Sequence, residues 1–291
     1  WHLQFAYFES ALAVEFLIEK HGLEALRNVL TDLRIGMPIN VALDRRCDEL
    51  SQLELEFDQF LRKRASELAP QVDWSKPDAG VLAAGGRTAV EALLKDKPNN
   101  FPALMLLSEA QIKAEQWADA GTTLQKLIEL YPDYTGGDNA YEKLADVSRH
   151  LNDRDAEKQT LTTFAGISAD AVSANLRLIE IHSEDDEWQQ VAEATDRLRS
   201  IDPLLKTAHE AAARSSEQLG QPTGVVTALQ RLLILDPDDP ADVHYRLAVA
   251  LHALERNDEA KRQVLMSLEE APRFRDAHRL LLKLVRSEGG K

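Results

Sequence analysis

The residues best suited to chemistry in this 291-residue chain are eight histidines and one cysteine: His2, His21, His150, His182, His209, His244, His252, His278 and Cys47. A helical zinc pair needs two histidines four residues apart, with a third ligand beyond them. No His-Glu-x-x-His occurs, and the nearest spacing, His244 to His252, is eight residues, or two turns. His209-Glu210 has no second histidine, so no metal is expected in this chain. The lone Cys47 excludes an internal disulfide and reads as a small hydrophobe on a helix. No glycine-rich phosphate loop is present; Gly136-Gly137 follows Pro132 as a turn. The paired acids Asp185-Asp186 and Asp238-Asp239 fall where helices start, which is the place for capping.

The elements that carry these residues repeat. Pro98, Pro132, Ser168, Pro203, Pro237 and Pro272 each follow an apolar helical stretch, at spacings of 34, 36, 35, 34 and 35. Such a period marks stacked helix–turn–helix units. Twelve residues before the markers from Pro132 onward stand Ala120, Ala156, Val191, Val225 and Ala260, where a second helix needs a small residue. Eight before stand Leu124, Thr160, Thr195, Leu229 and Val264, and five before stand Leu127, Thr163, Leu198, Leu232 and Ser267. At 3.6 residues per turn these share one face. Polar breaks at Glu115-Gln116, Asn152-Asp153, Glu184-Asp185-Asp186, Gly220-Gln221 and Asn257-Asp258 split each unit into two helices. Trp117 and Trp188 share one position in two units and are expected to pack between helices.

Residues 99–272 resemble five tetratricopeptide (TPR) repeats, carried best by Asp258-Glu259-Ala260 through Glu270-Ala271-Pro272 and by Ile234-Leu235-Asp236-Pro237. They depart from that family where its large early aromatic becomes Leu104, Asn175, His209 or His244. The resemblance implies an all-α fold, a right-handed superhelical solenoid of helix pairs. Residues 79–97 read as a lone second-type helix, and Phe274 to Ser287 as a closing helix with Arg273, Arg275, Arg279, Lys283 and Arg286 outward. The expected domains are thus 1–72, a small helical bundle, and 73–291, the solenoid.

Composition agrees: 44% apolar, 29% charged and only 6% aromatic, with no alternating β-branched runs. A net charge of −15 without clustered Lys and Arg disfavours nucleic acid or an anionic membrane as partner. No apolar run reaches the roughly 18–20 residues of a membrane span.

The first seventy residues are not repeats. Helices are expected over Phe5–Lys20, with Gly22 as left-handed cap, and over Leu23–Arg34, Ile39–Leu50 and Gln52–Ala69. Trp1 is not an initiator Met and no signal-peptide pattern follows it, so the chain reads as a piece of, or processed from, something longer. Ala6-Tyr7-Phe8-Glu9-Ser10, Val14, Leu17, Gly22, Leu26, Leu30, Leu33, Gly36, Ala42-Leu43 and the Leu53–Phe57 helix resemble the end of a gluzincin (peptidase MA-like) zinc metallopeptidase domain. That resemblance implies zinc ligands upstream of Trp1, no activity in this chain, and a catalytic Tyr7 steadying an oxyanion only if the parent is a peptidase. A plain core aromatic is the competing reading of Tyr7. Peptidase-like segments before repeats are often exported in bacteria, yet a cytoplasmic scaffold has the same composition, so cytoplasm and periplasm both stay open.

In TPR proteins partner segments lie on first-helix residues that point away from the second helix. Carried over by position, that groove comprises Met105, Glu109, Ile112 and Lys113, then Tyr141, Ser148 and Arg149, then Leu176 and Glu180. Glu210, Arg214 and Gln218 follow, with Tyr245, Val249 and His252 last. It lacks a basic clamp for a C-terminal carboxylate. The function expected is therefore a non-catalytic interaction module that holds an extended or helical peptide or protein segment with apolar anchors. The alternative is the C-terminal portion of a zinc peptidase whose repeats recruit substrate or assemble it.

Overall fold

A computed structural model describes residues 2–289, with side chains over 7–78 and 85–286. The expectations resting on Trp1, on the Phe5 and Ala6 side chains and on that of Ser287 lie outside the described residues. Fifteen helices and no strand occur among the described residues. Packing divides the chain into two compact units, Trp1–Asp73 and Trp74–Lys291.

The first unit holds α1 (His2–Arg34), α2 (Ile39–Arg46) and α3 (Leu50–Leu68). Gly22, at φ 79 and ψ 162, breaks α1 where two helices were expected. Only glycine takes that backbone without strain. Phe16 of α1 packs on Phe57 and Phe60 of α3, each with ring centroids 5.6 Å apart. Buried Asp32 receives two bonds from Arg46, at 2.6 and 3.0 Å, tying α1 to α2. Helix α2 stops at Arg46 rather than Leu50, because Asp44 turns back to accept the Leu50 N–H at 2.8 Å and restarts the chain as α3.

The second unit opens with α4 (Ala79–Asp96) and continues as five helix pairs. These are α5 (Phe101–Lys113) with α6 (Trp117–Leu130), α7 (Ala140–His150) with α8 (Arg154–Ile167), and α9 (Val172–Glu184) with α10 (Trp188–Ile201). Then come α11 (Lys206–Gln218) with α12 (Pro222–Ile234), α13 (Pro240–Ala253) with α14 (Asn257–Glu270), and the closing α15 (Arg275–Gly289). Extensive packing runs between consecutive helices, as a solenoid of short units requires. Buried Asn100 starts the series: its Oδ1 accepts the Ala103 N–H at 2.9 Å and its Nδ2 donates to the Ser75 carbonyl at 2.8 Å.

The turn inside each pair is one motif built five times. Glu115, Asn152, Asp186, Gly220 and Glu255 all have positive φ, from 55 to 64. The next residue's N–H, from Gln116, Asp153, Glu187, Gln221 or Arg256, donates five residues back to Gln111, Ser148, His182, Ser216 or Leu251. This is the Schellman end of a helix, which satisfies carbonyls the helix leaves open. The fifth break falls at Glu255, not at Asn257-Asp258, which already belong to α14. A left-handed glutamate is strained, and glycine is not. Replacing Glu255 by glycine is expected to stabilise the fold by about 0.5–1 kcal/mol, read from urea unfolding midpoints.

That motif also corrects the register of the second pair. Its left-handed residues give an interval of 37 from Glu115 to Asn152, then 34 to Asp186. The connector 131–139 before α7 is longer than its counterpart 168–171 before α9. The marker equivalent to Pro132 is therefore Ala169, not Ser168, which caps the end of α8. Ala156, Thr160 and Thr163 are not the inward set; Glu157, Leu161 and Phe164 are buried in their place. In the other pairs the expected small sites Ala120, Val191, Val225 and Ala260 are buried.

Candidate functional site

The first helices of the pairs, α5, α7, α9, α11 and α13, supply the face on which the sequence placed a groove. The one-residue slip in the second pair carries through to it. Tyr141 is 5% exposed, stacks on Phe164 at 5.8 Å and donates its hydroxyl to the Pro132 carbonyl at 2.8 Å. Ser148 is also buried. Neither belongs to the exposed face; one residue on, half-buried Glu142 and exposed Arg149 take those positions. The Tyr141 bond explains a family of aromatic substitutions, since His209 and His278 also place Nε2 at 2.8 and 2.9 Å from the carbonyls of Pro203 and Pro272. Each ring at the start of a helix latches the preceding connector.

Most of the remaining expected residues line open clefts between neighbouring pairs. Glu109, Ile112, Lys113 and Arg149 line a cleft of about 380 Å³ with Trp117, whose ring stacks on His150 at 4.0 Å. Glu180 and Arg214 border a second cleft, and Glu210 and Arg214 a third. The Arg214 guanidinium lies 5.2 Å from the Trp188 ring centroid, a cation–π contact. Tyr245 and Val249 line another, of about 520 Å³, between α11, α12 and α13. Its other walls include Val225, Ala250 and Ala253, with Glu217 and Arg246 at the edge. Met105, Leu176 and His252 are half-buried, and His252 pairs its Nδ1 with Asn257 Oδ1 at 2.7 Å. Gln218 is exposed at the end of α11.

Charges on this face are mostly spent on one another. Lys143 of α7 reaches Glu109 of α5 at 3.0 Å. Arg246 of α13 grips Glu217 of α11 with two bonds, at 2.8 and 2.9 Å. The densest network centres on Glu157, 2% exposed. Its Oε1 accepts from Arg149 Nε at 3.0 Å and Arg177 Nε at 2.8 Å, and Oε2 from Arg177 Nη2 at 3.2 Å. Arg149 also holds Asp146, and Arg177 holds Glu180. The carboxylate stands where sibling pairs have alanine or valine, and sequence reasoning missed it through the register slip. The signal that could have found it is two arginines, Arg149 and Arg177, placed to converge on it from the helices either side.

Burial is the largest single influence on the Glu157 carboxyl and pushes its pKa up. The bonds from Arg177 and Arg149 together outweigh burial and hold the pKa below the usual glutamate value. A carboxyl depressed on folding contributes stability above its unfolded pKa and loses it as pH falls through the folded one. The wild-type chain is expected to lose stability between pH values around and below 4.5, the ordinary glutamate value, more steeply than Glu157→Gln. Equal slopes in urea melts across that window would contradict the assignment.

In the first unit, Tyr7 is 71% exposed. Among the described residues no group of three or more His, Cys, Asp or Glu could hold a metal ion. The Cys47 thiol is pushed up chiefly by burial, away from nucleophilic use. No helix among the described residues is long and apolar enough to cross a membrane.

Solved structures similar to this chain include YrrB, described as a TPR protein with an unusual peptide-binding site, at 12% identity over 67% of this chain and 98% of that one, with TM-score 0.46. MamA is similar at 15% identity over 58% and 91%, with TM-score 0.43. The TPR2AB domain of yeast Sti1, solved in complex with pHSP90, is similar at 12% identity over 68% and 93%, with TM-score 0.35. No curated protein matches the chain. Residues 102–134, α5 with α6 and the turn beyond, match the family model described as tetratricopeptide repeat. Helices α7 to α14 repeat that unit's helix pair, its Schellman turn and its buried positions.

Proposed function

We propose that the second unit is a non-catalytic protein-interaction module that holds a peptide or protein segment along the face of α5, α7, α9, α11 and α13. The observation that carries this is the 520 Å³ cleft between α11, α12 and α13, whose Tyr245, Val249, Ala250 and Ala253 walls suit an apolar anchor. The salt-bridged charges along the face set register and exclude wrong partners more than they add affinity. Among the described residues Lys113 and Arg214 have no carboxylate within ion-pair distance, so they are cations left to meet a partner.

The test is selection of binding peptides from a displayed random library on the full chain, followed by titration of the winners. Peptides that share an apolar anchor and lose binding on Val249→Glu support the groove. Peptides that bind equally well to that variant overturn it. Arg214→Glu is the cleaner charge probe. Reversing Arg149 would also strip Glu157 of a partner and confuse binding with folding.

A further inference from the structure

A separate cavity of about 330 Å³ opens at the connector end of the third and fourth pairs, away from the first-helix face. It lies between the end of α10, the start of α11 and the end of α12, and is lined by Arg199, Pro203, Leu204, His209, Arg231, Ile234 and Leu235. Its make-up is amphiphilic. Leu204 and Ile234 are 71% and 83% exposed, unusual for aliphatic side chains beside two guanidinium groups. Arg231 has no carboxylate, hydrogen bond or ring partner among the described residues. Arg199 donates one terminal nitrogen to Asp196, which leaves its buried Nε without an acceptor.

The third polar group is His209, 2% exposed. Its Nε2–H donates to the Pro203 carbonyl at 2.8 Å, and the second ring nitrogen, Nδ1, accepts a hydrogen bond in the tautomer this contact selects. Nδ1 has no partner. Buried polar atoms in folded proteins are almost always paired, and two orphans beside one cavity call for a ligand or an ordered water.

We propose that this cavity binds an aliphatic carboxylate. The carboxylate bridges Arg231 and Arg199, the planar geometry guanidinium groups recognise best, and the hydrocarbon lies between Leu204 and Ile234 over Pro203 and Leu235. Such a group comes either from a free short-chain acid or from the end of a polypeptide that finishes in an aliphatic residue. The two differ at His209: only the second brings an N–H for Nδ1.

The experiment titrates the full chain with hexanoate, N-acetyl-leucine, N-acetyl-leucinamide and inorganic phosphate, followed by calorimetry and amide chemical shifts. Saturable binding of hexanoate or N-acetyl-leucine is expected, weakened about tenfold or more by Arg231→Gln and by Ile234→Ser. Both residues are exposed, so both variants should fold. Tighter binding of N-acetyl-leucine, lost on His209→Phe, assigns the chain terminus; equal or tighter hexanoate assigns the free acid. The proposal is overturned if the leucinamide or phosphate binds as well as the acids, if neither variant changes affinity, or if no ligand saturates at millimolar concentration.

Discussion

Replacing Glu157 by alanine is expected to destabilise the second unit by about 3 kcal/mol, although two sibling repeats carry alanine at that position. Ala120 and Ala260 show that the space accepts a methyl group, so a cavity is not the cause. The loss comes from Arg177, three-quarters buried, and from Arg149, which together lose three charge-assisted bonds. A buried charge stripped of its partner costs more than the pair itself contributes. The double variant Glu157→Ala with Arg177→Met should therefore recover most of the loss. Urea unfolding of the parent, the single and the double variants checks this. A single variant within about 0.5 kcal/mol of the parent would show that the network is neutral and the carboxylate replaceable.

The second large effect is on binding. Val249→Glu places a carboxylate in the apolar cleft beside Tyr245 and Ala253. Val249 is itself partly exposed, so the fold should tolerate the change. Loss of a central apolar anchor typically costs about 2 kcal/mol or more, hence about thirtyfold in affinity for a groove-bound peptide. Tyr245→Ala should act in the same direction, since its ring packs on Phe274 at 4.9 Å and forms one wall. Thermal unfolding of each variant separates lost binding from lost structure. Because the cavity near Arg231 lies elsewhere, Arg231→Gln should leave this affinity unchanged.

Much of the architecture was readable from residue order. Prolines at a nearly constant interval and one apolar residue per turn give helix pairs in a series, because a proline ends each second helix and the pattern buries one face. Gly22 was legible as a break for the same local reason. The second pair was not legible, because its connector carries extra residues and its marker is Ala169 instead of a proline. A slip of one residue rotates a helical position by about 100°, enough to exchange inside and outside. That single slip made Tyr141 and Ser148 look like groove residues and hid Glu157 behind Ala156.

The amino-acid sequence by itself determined what local rules can set: helices, their ends, the repeat, and the lack of a zinc-binding histidine pair. Tertiary structure decided which charges are free. Lys143, Arg149, Arg177 and Arg246 resemble surface cations in the sequence, and each is committed to a carboxylate on a neighbouring helix. Arg214 lies on Trp188, and Arg231 at its cavity has no carboxylate partner among the described residues. Pairing of this kind depends on distances between helices far apart in the chain. No spacing along the sequence encodes those distances, because they are set by how the pairs stack.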